Sequence, residues 1–252
     1  MINKKDIIWI TGASSGIGYS LTSKLLANGN TVIATARNVA VLEDLKIRFK
    51  SNLFYYSLDV TNSIAVKNFC TQLLEEFNKI DIMILCAGIC EYVEWPDLNL
   101  EAMHNNMNVN YWGVVNCISH GVSILNKEGN PYIVGISSPS HIVGLPRAEG
   151  YGASKAALHY LLETLQIELN GTNIDLSIVT PGFVKTRLTY KNDFYMPQLI
   201  SVDKATNIIL RGMHKRKLEI KFPIFLILIL NILYIMPSKF RIYLLSKIKR
   251  SV

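Results

Sequence analysis

The 252-residue chain is sparing with charge and with cysteine: 18% of its residues are charged, and Cys70, Cys86, Cys90 and Cys117 are its only thiols. Four cysteines are too few for a disulfide scaffold and lack a zinc-finger layout, so reduced thiols in a cytosol and no metal site are the expectation. Low charge beside 50% hydrophobic residues excludes disorder. With 15 glycines and 8 prolines, collagen-like and low-complexity sequence are excluded too. No stretch reaches the roughly 18 uninterrupted apolar residues of a spanning helix. The first ten residues carry a short apolar run with no small-residue cleavage site after it, which is not a secretory signal. Internal repeats and Ser/Gly linkers are missing, and the length suits one large α/β domain or two small ones.

Acidic residues are scarce at one end. Residues 1–184 hold 12 Lys/Arg and 16 Asp/Glu, whereas residues 185–252 hold 14 Lys/Arg and 3 Asp/Glu. The net charge of +7 therefore belongs to the C-terminal quarter, where the longest apolar run also lies.

What is present is an alternation of short apolar runs with stretches of helical period. Strands are expected at 7–10, 31–35, 54–58, 82–86, 132–136 and 174–179, and helices at 16–28, 39–49, 64–77, about 100–124 and 152–169. Residues 182–201 read as a loop carrying Phe183, Leu188, Tyr190, Phe194, Tyr195, Met196 and Leu199. A helix at 203–213, capped by Ser201 or Asp203, and a last strand at 218–222 follow. The pattern gives an α/β fold: a parallel sheet with helices on both faces over residues 1–221, then an apolar and basic helical tail over 222–252. Such sheets bind ligands at the carboxyl ends of their strands, where the crossover direction reverses.

Thr11-Gly12-Ala13-Ser14-Ser15-Gly16-Ile17-Gly18 joins the first strand to the first helix. Gly12 permits a tight turn, Gly16 a close approach of backbone or phosphate, and Gly18 close packing of the helix; the free N–H groups at the helix start suit a pyrophosphate. The second strand ends in Ala36-Arg37-Asn38, with no Asp or Glu between residues 30 and 42. Arg37 suits a 2′-phosphate, which favours NADP(H) over NAD(H). Asp59, followed by Val60, stands either beside an adenine amino group or, like Thr61, as a helix cap.

Tyr151 and Lys155 lie four residues apart on one helical face. A phenol titrates too high for proton exchange at neutral pH, and a nearby ammonium favours the phenolate, so the pair makes a general acid for a carbonyl oxygen or a base for an alcohol. Ser138, just after a strand, can hold the substrate oxygen at the same sheet edge. Asn110 falls mid-helix, where Asn is a poor helix former: either a kink frees a carbonyl to hold a water, or the residue is simply a satisfied polar one.

Taken in order, the Thr11–Gly18 turn, Asp59, Ala87-Gly88, Asn110, Ser138, Tyr151, Lys155 and Pro181-Gly182 with Thr186 resemble the short-chain dehydrogenase/reductase family over about residues 5–187. The resemblance implies a single Rossmann-type, doubly wound domain, NAD(P)-dependent oxidoreduction and roles for single residues. Tyr151 is the acid/base, Lys155 binds the nicotinamide ribose and lowers the tyrosine pKa, Ser138 orients the carbonyl, and Asn110 anchors a water in a proton relay. The cofactor set it implies is Gly12, Ser14, Ser15, Gly16, Ile17, Gly18, Arg37, Asp59, Val60, Ala87, Gly88, Tyr151, Lys155, Pro181, Gly182, Val184 and Thr186, of which Pro181, Gly182 and Thr186 flank the nicotinamide and its amide. Leu85-Cys86-Ala87-Gly88 departs from the family's Asn-Asn-Ala-Gly, and Cys86 reads as a small core residue in the amide's place. Ser137-Ser138-Pro139-Ser140 lacks the usual Ala-Gly, which changes the pocket wall.

Residues 222–236 are almost wholly apolar, and as a helix would run about 22 Å, short of a hydrocarbon core of about 30 Å. After Pro237, Lys239, Arg241, Lys247, Lys249 and Arg250 interleave with Phe240, Ile242, Tyr243, Leu244, Leu245 and Ile248. This reads as a peripheral anchor on an anionic, cytoplasmic membrane surface, or else as a buried helix at a subunit contact. No nucleic-acid motif accompanies the charge. Tyr92, Trp95, His141, Val143 and Leu145 are further pocket candidates. The reading is an NADP(H)-dependent reductase of a lipophilic ketone or aldehyde: a keto lipid, steroid or retinoid by family likeness. The alternatives are a soluble 3-oxoacyl carrier-protein reductase and a catalytically idle, membrane-held NADP sensor. A homo-oligomer is compatible with each.

Overall fold

The computed structural model describes Ile2 and residues 5–247. Its strands are β1 (Ile7–Thr11), β2 (Thr31–Ala36), β3 (Leu53–Ser57), β4 (Ile82–Leu85), β5 (Tyr132–Ile136), β6 (Asp175–Pro181) and β7 (Glu219–Phe222). They form one sheet in the order β3-β2-β1-β4-β5-β6-β7, and every neighbouring pair is parallel. The chain runs outward from β1 to β3, then returns beside β1 as β4, so the winding reverses between β1 and β4. This is the expected doubly wound sheet.

Both faces of the sheet are covered, which is why its inner strands are apolar at nearly every position. Ile8 and Ile10 point to one face, against Leu21 and Leu25 of α1 (Gly16–Ala27) and Ile209 and Met213 of α7 (Val202–His214). Trp9 points to the other, among Phe69 and Leu73 of α3 (Ser63–Phe77), Cys117 of α5 (Gly113–Gly121) and Leu158 and Leu162 of α6 (Glu149–Glu168).

Local chemistry fixes the element ends. Gly29 at φ +87 terminates α1. Asn62 caps α3 by accepting from the Ala65 N–H at 3.0 Å, and Ser201 caps α7 by accepting from the Lys204 N–H at 3.2 Å. Of the two expected candidates Ser201 is thus the cap, while Asp203 pairs with Lys24 at 2.5 Å.

Two expected helices differ. Residues 39–49 shorten to a 3₁₀ turn (Ala40–Leu42) and α2 (Glu43–Arg48). The stretch 100–124 divides into α4 (Leu100–Met107), a π-turn (Asn108–Trp112), α5 and a 3₁₀ turn (Val122–Ile124). The tail forms α8 (Ile224–Ile235) and α9 (Ser238–Ser246), set off by Pro223 and Pro237. Among the described residues no helix is long and apolar enough to cross a membrane. Ile248, Lys249 and Arg250 of the expected basic helix lie outside the described residues.

Candidate active site

A cleft of about 1230 Å³ opens at the carboxyl edge of the sheet, along the line where the winding reverses. The turn from β1 into α1 borders it through Gly12, Ser14, Ser15, Gly16, Ile17 and Gly18. Gly12 sits at φ +66, and a Cβ there would lie 2.8 Å from the Ala87 backbone, so only glycine lets this turn press against the end of β4. The Thr11 hydroxyl fastens that contact, accepting from the N–H groups of Cys86 and Ala87 at 3.0 and 3.1 Å. The first N–H groups of α1, beyond reach of any intrahelical carbonyl, open at the same edge.

Arg37 and Asn38 border the cleft from the end of β2, and Asp59 and Val60 from beyond β3. Asp59 accepts from the Thr61 N–H at 2.9 Å and the Thr61 hydroxyl at 2.8 Å, a local turn; with Asn62 as the cap of α3, the capping alternative for Asp59 and Thr61 is corrected. A glycine-lined helix start, a carboxylate turn and an exposed guanidinium fit the pyrophosphate, adenosine and 2′-phosphate ends of a dinucleotide.

At the other end of the cleft, β5 runs through Ile136 and Ser137 into Ser138, and α6 presents Tyr151 and Lys155 one turn apart. The Ser138 hydroxyl lies close enough to the Tyr151 phenol to favour its ionised form. The Ser138 hydroxyl also accepts from the N–H and the hydroxyl of Ser140, at 3.3 and 3.1 Å. Lys155 is buried and donates to the Ile136 carbonyl at 2.9 Å. Its Nζ lies 3.7 Å from where a Gly88 Cβ would stand. Ala87, Gly88, Pro181, Gly182, Val184 and Thr186 complete this end.

The lowering of the Tyr151 pKa expected from Lys155 is not seen in the chain alone: burial pushes the phenol up, the neighbouring Cys90 thiol adds to the rise, and the Ser138 hydroxyl opposes it. Burial pushes Lys155 down to about 8, against the nearby Cys86 and Cys90 sulfurs. It pushes the Cys86 thiol up to about 11, so at neutral pH Cys86 is an uncharged thiol.

Asn110 stands behind the cleft rather than on it. It is fully buried in the π-turn; its Oδ1 accepts from the Ile89 N–H at 2.8 Å, and its Nδ2 donates to the Ile89 carbonyl and the Ser154 hydroxyl at 2.9 Å each. Ser154 in turn donates to the Tyr151 carbonyl at 2.8 Å. Asn110 therefore ties the segment after β4 to the start of α6, and of the two readings expected of it the satisfied polar side chain is the one seen, within a π-turn.

The pocket candidates divide. Tyr92 and Leu145 line the cleft, with Phe183, Leu188, Phe194 and Tyr195 of the loop after β6. Trp95 does not, being 70% exposed, and Val143 packs with Leu226 and Leu230 instead. Tyr190, Met196 and Leu199 also lie off the cleft lining. His141 faces away: its ring stacks on His159, 3.6 Å between centroids, and its Nδ1 donates to the Ser138 carbonyl at 2.5 Å.

Two groups of lining residues escaped sequence reasoning. Arg147 bridges Glu94 at 2.7 Å and Asp193 at 2.8 Å with its guanidinium over the Tyr92 ring, tying three loops together. Along α8, Phe225, Leu226, Ile229 and Leu230 wall the cleft. Gly182 admits α8, since a Cβ there would lie 2.8 and 2.9 Å from Pro223 and Leu226, and nothing in the sequence signals that contact.

A profile of the short chain dehydrogenases matches residues 6–194. The chain belongs to the short-chain dehydrogenase/reductase family. It is similar to the 11-beta-hydroxysteroid dehydrogenase-like 3 of Arabidopsis thaliana, 32% identical over 231 residues, 87% of this chain and 74% of that protein. It is similar as well to the 3-oxoacyl-[acyl-carrier-protein] reductase FabG of Thermotoga maritima, 33% identical over 185 residues, 72% of this chain and 75% of that one. Among solved structures, an alcohol dehydrogenase of Thermococcus sibiricus complexed with 5-hydroxy-NADP superposes with a TM-score of 0.75 at 25% identity, covering 86% of this chain and 94% of that one. As a short-chain dehydrogenase/reductase the protein is an oxidoreductase of the NAD(P)-dependent kind.

Proposed function

We propose that this short-chain dehydrogenase/reductase reduces a lipophilic ketone or aldehyde with NADPH. The observation that carries the reading is the meeting of Tyr151, Ser138 and buried Lys155 in one cleft, at the junction of a glycine-lined groove and an apolar pocket. The dinucleotide, when bound, supplies hydride to the carbonyl carbon.

The residues of the chain do the rest. The Tyr151 hydroxyl donates its proton to the carbonyl oxygen, and Ser138 holds that oxygen by a hydrogen bond. A phenol held protonated by burial suits a proton donor rather than a resting base. Lys155 carries the positive charge that favours the phenolate as the proton leaves, and the Ile136 carbonyl fixes its ammonium in place. Asn110 positions α6 through Ser154. Gly12 and the start of α1 hold the pyrophosphate; Arg37, with no acid at the end of β2 to receive a ribose hydroxyl, selects the 2′-phosphate.

The apolar wall formed by Phe183, Phe194 and Leu226 supports a lipophilic substrate. The likeness to a plant hydroxysteroid dehydrogenase-like protein points the same way, and the basic, acid-free tail supports a peripheral seat on anionic lipid. The likeness to a 3-oxoacyl carrier-protein reductase favours a second reading, in which a carrier-bound acyl chain fills the same wall. A panel of long-chain ketones, steroid ketones, retinals and carrier-bound 3-oxoacyl chains, with NADPH consumption as readout, tests the assignment. Turnover of the free lipophilic carbonyls is expected. Turnover of the carrier-bound substrate alone establishes the second reading, and silence throughout refutes both.

A further inference from the structure

The C-terminal helices have two apolar sides, and the cleft uses one of them. Phe225, Leu226, Ile229, Leu230 and Leu233 of α8, with Leu245 of α9, line the same cavity as Tyr151 and Ser138. The start of α8 is seated against Gly182, and the Gly182 N–H donates to the Phe222 carbonyl at 2.7 Å. The inner side of α8 is thus part of the reaction cleft.

The outer side faces away. Ile224, Leu228, Ile232 and Ile235 recur at helical spacing and are 68, 53, 47 and 79% exposed. Phe240, Ile242 and Tyr243 of α9 are likewise exposed, at 65, 65 and 57%. Between the two sides stand Phe225 and Ile229, which line the cavity and remain exposed. From the outer stripe to the cleft wall an alkyl group therefore meets no polar side chain on α8.

We infer that this hairpin is a lipid-side doorway: its outer face seats on an anionic bilayer, and an apolar carbonyl compound passes from the lipid over Phe225 and Ile229 into the cleft. The inference rests on the reductase reading and adds the route of its substrate. Charge selects the occupant. Residues 222–252 carry five Lys/Arg and no Asp/Glu, so anionic headgroups complement them, whereas a second copy packed face to face would oppose cation to cation. An α8 of 12 residues is too short to span, and it suits a helix lying in the interface.

The test uses the full chain, a short water-soluble ketone, and a long-chain ketone carrying a dansyl tag embedded in vesicles. Vesicles of phosphatidylcholine alone are compared with vesicles containing phosphatidylglycerol. At least about tenfold more protein is expected to float with the anionic vesicles. Dansyl emission should report transfer of the ketone to the protein, and the long ketone should be reduced faster from anionic than from neutral vesicles. The short ketone should be indifferent to lipid. Leu228→Asp with Ile232→Asp should abolish flotation and the lipid stimulation while leaving the short-ketone rate intact.

Equal transfer from both vesicle types overturns the doorway. So does a dimer in sedimentation that the double variant dissolves, in the absence of flotation. Ketone transfer without NADPH consumption supports the doorway and overturns the reductase reading; short-ketone turnover without flotation or transfer does the reverse.

Discussion

Lys155 is where burial and chemistry meet. Its pKa, held down to about 8, leaves the ammonium charged at neutral pH but within reach of titration. Reduction needs the charged form beside Tyr151, so kcat/KM should be level below that value and fall as pH rises through about 8; a profile flat to pH about 10 contradicts this. His141 gives a prediction of opposite sense. Burial, helped by the stacked His159, pushes its imidazole from the ordinary 6.5 to about 4. Between those values the unfolded chain binds a proton that the folded chain refuses, so the stability His141 contributes above pH 6.5 is lost as pH falls toward 4. The thermal midpoint should decline over this interval, and less steeply in His141→Asn, which keeps a donor for the Ser138 carbonyl; equal slopes argue against the assignment. The residue types at the reacting end were legible because Tyr151, Lys155 and Ser138 carry their chemistry in their side chains. The environment that tunes them was not, since the desolvation of Lys155 and the stacking of His141 on His159 come from residues distant in sequence.

Elements explain what single residues could not announce. The π-turn at 108–112 re-aims Asn110 at the Ile89 backbone, and in sequence only the poor helix propensity of Asn hinted at it. Asn110→Ala leaves the Ile89 N–H and carbonyl without their partner and should destabilise the fold by about 2 kcal/mol, read from denaturant unfolding. An unchanged midpoint would remove Asn110 from this tie. Arg147 works between loops: Arg147→Ala frees the segments carrying Glu94, Asp193 and Tyr92, and KM for an apolar ketone should rise several-fold with kcat little changed. The strands were legible because a sheet buried on both faces demands continuous apolar runs, as in β1, β4 and β5. The tail was legible only in part. A helix apolar all round calls for lipid or burial, and the sequence offers no way to see that Gly182 admits Leu226 and turns one side of α8 into a cleft wall.

The molecule as a whole is a doubly wound sheet that gathers residues from six strand ends into one cleft and closes its apolar end with C-terminal helices. Binding of the dinucleotide to the folded form alone should raise the melting temperature, and NADPH should raise it more than NADH at equal concentration if Arg37 holds the 2′-phosphate as proposed. Arg37→Glu should reverse that order; an unchanged order would place the selecting contact elsewhere. The most direct measurement is turnover by Tyr151→Phe on a lipophilic ketone, taken together with NADPH binding by the same variant. Proton donation from Tyr151 predicts a rate at least about a hundredfold lower with NADPH affinity retained. A variant that binds NADPH and reduces the ketone at the full rate would contradict the account.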